Sequence, residues 1–139
     1  MLTIDDVAGL LLPRAGVTEG TRWRHRTWVL HGRAFAWERP LSKADIGRFG
    51  DDPVPPGPTL AVALADHVAK DALLDEQPPG FFTIAHFDRH PIVLVSLPAA
   101  RDADVRDSLE HAMAACTTRT RRGSGAGSAP PDLPGDAEP

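Results

Sequence analysis

The chain has 139 residues, 42% of them hydrophobic, with a formal net charge of −4 and a single cysteine, Cys116. This length and apolar content fit one globular domain with its own core, and the lone cysteine excludes an internal disulfide. No apolar run approaches the roughly 18 residues that span a bilayer, and acids stand where a signal peptide has bases, so we expect a soluble, cytoplasmic protein.

The first segment has the pattern of a short amphipathic helix. Thr3 is a candidate N-cap, Asp6 follows three residues later, and apolar residues then recur at helical spacing until Pro13.

The segment Thr27–Glu38 alternates with period two on both sides of a His31-Gly32 pair. Glycine adopts the positive φ that a two-residue turn requires, so this segment predicts a β-hairpin. We expect a preceding strand through Arg22–Arg26 to join it. Trp28 and Leu30 are expected on one face of its first strand, and Phe35 and Trp37 together on one face of its second. For the three aromatic residues this alternation favours a place in the core over a base-stacking surface.

Three further helices follow, with a strand between the first two. Ser42 with Asp45 predicts a cap for a short helix that ends near Gly50. The segment "TLAVALAD" places large residues on one face of a strand and alanines on the other, and we expect the large face to meet the helices. A short helix is predicted at Val68–Asp75 and a last one at Asp104–Thr118.

The order of these elements indicates an α+β fold with a mainly antiparallel sheet and the terminal helices packed on one face. The opposite face of the sheet is expected to be open. Residues 123–139 are rich in Gly, Ser, Ala and Pro, and we predict that they form a disordered acidic tail after a domain of residues 1–122. The tail holds three acids and no base, so residues 1–122 carry a net charge of only −1.

Three segments resemble the MmcQ/YjbR family: "GVTEGTRW", "WVLHGRAFAW" and "FFTIAHFDRHPIVLVSL", the last ahead of an amphipathic helix. The resemblance covers about residues 2–120. It implies a frataxin-like (CyaY-like) α+β fold, of the form α-β(5-6)-α, and a DNA-binding label that the family carries from its shape. Within the pattern, His86 and Pro91 match the family's His and Pro, whereas Arg89 replaces a residue that is often glycine.

The spacing of His86 and His90 raises the alternative of a metal site. Pro91 and the following "IVLV" run favour strand and turn over helix. In an extended chain, two side chains four residues apart are separated by about 13 Å, which is too far for one ion. We therefore predict no metal site and no cofactor, and we interpret His86 and Pro91 as structural residues of the loop before the last strand.

The segment "RWRHR" is the clearest basic feature of the chain. If it is a strand, Arg22, Arg24 and Arg26 alternate onto one face and can follow a phosphate backbone, with Arg33 and Arg89 extending the row. The alternative is a solvated strand face whose arginines discourage edge pairing.

No catalytic constellation is visible in the sequence. Cys116 lies at apolar helical spacing, which indicates a buried and inert thiol, and Asp51-Asp52 lies beside prolines, which is typical of a turn. His111 falls on the polar side of the last helix, where a solvated side chain is expected. No residue is therefore assigned a catalytic role.

These observations predict a nonenzymatic module that contacts DNA through phosphates. The alternative is a protein-interaction or small-ligand module that uses the open sheet face and binds no nucleic acid. Neither reading involves a membrane.

Overall fold

The computed structural model describes residues 1–22 and 24–122, the last four of these as backbone alone. The predicted disordered tail, residues 123–139, lies outside the described residues. The helices are α1 (Ile4–Leu11), α2 (Lys43–Arg48), α3 (His67–Asp75) and α4 (Asp102–Arg122). The strands are β1 (Thr18–Arg22), β2 (His25–Leu30), β3 (Arg33–Glu38), β4 (Thr59–Ala63), β5 (Phe81–Phe82) and β6 (Ile92–Ser96).

The six strands form one antiparallel sheet in the order β1-β2-β3-β4-β6-β5. The strand pairs β1-β2 and β2-β3 are consecutive hairpins, which antiparallel strands form with short turns. The predicted α+β class with a mainly antiparallel sheet is confirmed. No helix within residues 1–22 and 24–122 is long and apolar enough to cross a membrane.

Both predicted helix caps are confirmed. The Thr3 hydroxyl accepts a hydrogen bond from the Asp6 backbone N–H, and the Asp6 carboxylate accepts one from the Thr3 N–H. Ser42 and Asp45 form the same reciprocal box at the start of α2. Each box satisfies two backbone donors that would otherwise have no partner inside the helix.

One face of the sheet packs against α1, α3 and α4, and we call it the helix-side face. Its core contains the large residues of β4, as predicted, together with Trp28 of β2 and Cys116 of α4. Trp28, Leu60 and Val62 are fully buried. Burial of such side chains contributes roughly 1.5–3 kcal/mol each, so this layer is a major source of hydrophobic stabilisation.

The prediction that Phe35 and Trp37 share a face is wrong. Trp28 pairs with Ala36 and Val29 pairs with Ala34, which leaves Phe35 as an extra residue of β3. This bulge shifts the alternation by one residue. Phe35 therefore points to the helix-side core, whereas Trp37 points to the opposite face, and both are fully buried.

The opposite face, which we call the far face, is covered, so the expectation of an open sheet face is wrong. A second apolar cluster lies there, in which Trp37 of β3 and the alanines of β4 pack with Ile84 and Phe87. Leu41 and Phe49, which flank α2, pack against the same cluster. The alanines of β4 leave room for these larger side chains, which come from loops. The alternation in β4 predicted a face of small residues but not that loops would cover it.

A buried ion pair lies on the far-face side. The Arg39 and Asp45 side chains are 3.2 Å apart, and the two residues are 6% and 3% exposed. Burial opposes the ionisation of Asp45, but hydrogen bonds from Ser42 and the charge of Arg39 outweigh it and lower its pKa. The Arg39 guanidinium also lies 5.5 Å from the ring centre of Phe87, so the pair links α2 to the cluster.

Candidate nucleic-acid interface

The predicted arginine row is divided by a turn. β1 ends at Arg22, β2 begins at His25, and these two residues face each other across the hairpin. The link is two residues long, and Arg24 has the left-handed φ of 69° that such turns need. The expectation of one strand through Arg22–Arg26 is therefore wrong.

Arg22 and Arg26 lie on opposite faces of the sheet. Residues directly opposite each other in antiparallel strands share a face, and Glu19, paired with Trp28, is on the helix side with Thr21 and Arg26. Arg22 alternates with Thr21 along β1 and so projects to the far-face side. The reversal at Arg24 thus separates residues that a continuous strand would have aligned.

Arg26 is occupied by acids of its own chain. Its guanidinium donates to both carboxylate oxygens of Glu19, at 2.9 and 3.0 Å, and to Asp5 at 2.6 Å. It also lies 5.7 Å from the ring centre of Trp28, whose indole N–H donates to Glu19. The bond from Arg26 lowers the pKa of Glu19. Arg26 therefore joins α1 to the first hairpin and is not a free phosphate contact.

Arg33 and Arg89 do not extend the site of Arg22. Arg33 begins β3 opposite Leu30, the last residue of β2, whereas Arg22 faces the first residue of β2. β2 has six residues, so its ends are about 17 Å apart. Arg89 belongs to the loop before β6 and lies at the same end of the sheet as Arg33. The five arginines do not form one surface.

Arg22 and Arg24 remain as the candidate contact. Both are exposed, and neither side chain forms a hydrogen bond or ion pair with residues 1–22 or 24–118. All five residues of β1 are exposed, and β1 is the outermost strand of the sheet. The turn therefore presents two guanidinium groups that an anion can approach, and we call Arg22, Arg24 and the opposing His25 the hairpin tip.

The loop that carries His86 and Pro91 is folded into turns, so the assumption of an extended chain between His86 and His90 is wrong. Ala85–Phe87 is a 3₁₀ turn, and the ring of His86 contacts that of Phe87 edge-on at 4.8 Å. The Pro91 carbonyl accepts a hydrogen bond from Leu64 N at 2.7 Å. Within residues 1–22 and 24–122 no group of three or more His, Cys, Asp or Glu side chains is placed to hold a metal.

Helix α3 holds this loop through contacts that the sequence did not indicate. The Lys70 ammonium, 4% exposed, donates to the carbonyls of Phe87 at 2.7 Å and His90 at 2.9 Å. His67 Nε2 lies 3.2 Å from the Arg89 carbonyl. Burial lowers the pKa of Lys70, while Asp88 and Asp71 act in the opposite direction. A lysine in a short amphipathic helix gives no sequence signal that its ammonium is buried.

His111 also has a role that was not predicted. It is exposed, but its Nε2 accepts a hydrogen bond from the Ala65 backbone N–H at 3.2 Å. It lines a cleft of about 270 Å³ between α3 and α4, where Leu64 and Leu73 form part of the wall. The contact with Ala65 joins α4 to the segment after β4, so His111 is not merely solvated.

Comparison with known proteins gives relatives in mycobacteria. The chain is 34% identical over 115 residues to the uncharacterised protein Rv2570 of Mycobacterium tuberculosis (strain H37Rv), which covers 81% of this chain and 86% of the relative. The uncharacterised protein Mb2600 of Mycobacterium bovis matches with the same identity and coverage. The chain belongs to the family of these mycobacterial proteins. No protein-family profile and no solved structure matches it. The names of these relatives state no activity.

Proposed function

We propose that the protein is a nonenzymatic, cytoplasmic nucleic-acid-binding or regulatory module of the MmcQ/YjbR type with a frataxin-like fold, and that its hairpin tip contacts phosphates. One observation supports the proposal. Arg22 ends β1 and Arg24 lies in the tight turn that follows, both are exposed, and neither has an acidic partner among residues 1–22 and 24–118. Guanidinium groups pair well with phosphate oxygens.

The conformation of Arg24 supports a role beyond folding. A left-handed φ of 69° favours glycine or asparagine, and an arginine there carries a backbone cost. Strained residues of this kind cluster at functional sites. His31 and Gln77 share this conformation, so a role for Arg24 is inferred from its exposed charge together with its φ.

The proposed contact differs from the predicted row in extent. Two arginines replace five, because Arg26 is paired with Glu19 and Asp5, and Arg33 and Arg89 lie at the other end of the sheet. Contact with phosphates carries no base specificity, so we expect binding that depends strongly on salt and weakly on sequence. Residues 1–122 carry a net charge of only −1, so we expect the affinity for nucleic acid to be modest.

Fluorescence anisotropy with a labelled 20-base-pair duplex at about 50 and 200 mM salt tests the proposal. The Arg22→Ala/Arg24→Ala variant is expected to bind at least about tenfold more weakly at low salt and to lose about two units of the log–log salt slope, since each phosphate contact contributes about 0.9.

An Arg89→Ala/Arg106→Ala variant serves as the matched control, because it removes two exposed arginines from other surfaces of the domain. It is expected to bind as the unmodified protein does. The proposal fails if the unmodified protein shows no binding at low salt, or if both double variants lose the same affinity.

A further inference from the structure

The outer edge of β1 pairs with no other strand within residues 1–22 and 24–122. In the part of the chain that the structure describes, β1 pairs with β2 alone, and every one of its five residues is exposed on the surface. Proteins usually protect such edges with proline, lysine, a bulge or a covering loop, because free backbone groups there recruit other strands. β1 contains neither proline nor lysine, and its pairing with β2 runs from Thr18 to Arg22 without a break in register. Its two charged residues project to opposite faces of the sheet, and Glu19 is already bonded to Arg26.

Gly20 at the centre of β1 is not required by the chain itself. Its φ is not in the left-handed region, and a Cβ added there would meet no atom within 4 Å. Gly80 is the contrast, because its φ is +80° and a Cβ there would lie 2.7 Å from Ala100 N. A glycine inside a strand is destabilising by roughly 0.5–1 kcal/mol and often marks the close approach of another backbone.

We propose that a second copy of this chain pairs with β1, antiparallel, about a two-fold axis at Gly20. In this register Gly20 faces Gly20 of the other copy, Arg22 faces Thr18, and Glu19 faces Thr21. Directly opposed like charges would destabilise such a pair, and none occur here. A two-fold contact of one surface with itself is the commonest form of oligomer.

The dimer joins two six-stranded sheets into one of twelve strands and removes both β1 edges. The two-fold axis keeps the far-face sides of both copies on the same side of the joined sheet. Arg22 and His25 of both copies then lie on one side of its centre. The inference rests on the edge and on Gly20, so it does not depend on the proposed nucleic-acid contact.

Light scattering after size-exclusion chromatography measures the mass directly. The unmodified protein is expected to have twice the 14.9 kDa of one chain. Gly20→Asp places like charges opposite each other at the axis and is expected to give the single-chain mass. Gly9→Asp is the matched control in α1, where an added Cβ also meets no atom within 4 Å, and it is expected to remain dimeric.

Cysteine cross-linking tests the register. Opposed residues of an antiparallel pair have Cα atoms about 4.5–5.5 Å apart, which a disulfide can bridge. Gly20→Cys is expected to form an intermolecular disulfide on mild oxidation, whereas Thr21→Cys, which faces Glu19, is not. The native Cys116 is 1% exposed and does not contribute.

Three results would overturn the inference. The first is a single-chain mass for the unmodified protein at all concentrations. The second is a dimer that persists in Gly20→Asp, or that cross-links equally well through both cysteine variants. The third is protection of the β1 amides from exchange by duplex DNA in a protein that stays monomeric, which would make nucleic acid the occupant of the edge.

Discussion

The Lys70 ammonium and the Phe87 carbonyl lie 2.7 Å apart across the contact between α3 and the loop before β6. The same ammonium donates to His90, and the lysine is almost fully buried. One side chain therefore satisfies two carbonyls of a loop that covers the far face of the sheet. The buried ammonium therefore fixes the position of this loop relative to α3.

Replacement of Lys70 by methionine is expected to lower the free energy of unfolding by about 2–4 kcal/mol, because two carbonyls lose a charged donor. Urea denaturation followed by tryptophan fluorescence measures the change. Lys43→Met, at an exposed position of α2, is the control and is expected to change stability by less than about 0.5 kcal/mol. Equal effects of the two substitutions would show that the Lys70 contacts contribute nothing particular.

Removal of Asp45 is expected to destabilise the domain by about 3–5 kcal/mol, because the buried charge of Arg39 loses its carboxylate and keeps only neutral acceptors such as the Pro40 carbonyl nearby. Asp45→Ala also removes the acceptor for the Ser42 N–H at the start of α2. Urea denaturation of Asp45→Ala, Arg39→Met and the double variant forms a thermodynamic cycle. The double variant is expected to be less destabilised than the sum of the two single variants by at least about 1 kcal/mol. Strict additivity would contradict a coupled pair.

Glycine at position 24 is expected to stabilise the protein while weakening nucleic-acid binding. Arg24→Gly relieves the left-handed conformation and should raise the free energy of unfolding by about 1 kcal/mol. Arg22→Gly, at the last residue of β1, is the control for stability: it removes the other arginine of the hairpin tip without relieving a left-handed φ and should lower the free energy of unfolding by roughly 0.5–1 kcal/mol. Thermal unfolding measures the change in stability, and fluorescence anisotropy with the labelled duplex measures the change in binding. A loss of stability in Arg24→Gly would mean that the arginine side chain supports the fold.

Acid is expected to weaken the link between Glu19 and Arg26. The pKa of Glu19 in the folded protein is below its ordinary value of 4.5, because Arg26 donates to its carboxylate. Between the two values the unfolded chain binds more protons, so stability is fully present above pH 4.5 and is lost as the pH falls through the folded pKa. Glu19→Gln should flatten the dependence of stability on pH in this range. An unchanged slope would contradict the contribution of this pair.

Two helix starts, one hairpin turn and the two faces of β4 could be predicted from local sequence. Thr3 with Asp6 and Ser42 with Asp45 predicted two helix starts, because a cap depends only on residues three apart. The His31-Gly32 turn and the two-sided pattern of β4 were confirmed for a similar reason. Turn geometry and side-chain alternation are properties of a few consecutive residues.

The arrangement of the candidate site was not readable in this way. Alternation assigned Arg22, Arg24 and Arg26 to one face, but a turn at Arg24 without glycine reversed the chain. The bulge at Phe35 moved Trp37 to the other side of the sheet, and the loop around Phe87 covered the face that was expected to be open. Each error concerned a conformation that depends on neighbours in space: a left-handed φ at Arg24, an extra residue at Phe35 and a folded loop around Phe87.

By itself, the sequence determined the α+β class, the helix caps and the β2-β3 hairpin with its turn at His31-Gly32, since these follow from short-range periodicity and local hydrogen bonds. Only the tertiary structure decided which arginines are free, where Lys70 places its charge and which strand edge is left open. Those properties depend on strand order and on partners distant in the chain, such as Asp5 for Arg26 and Phe87 for Lys70.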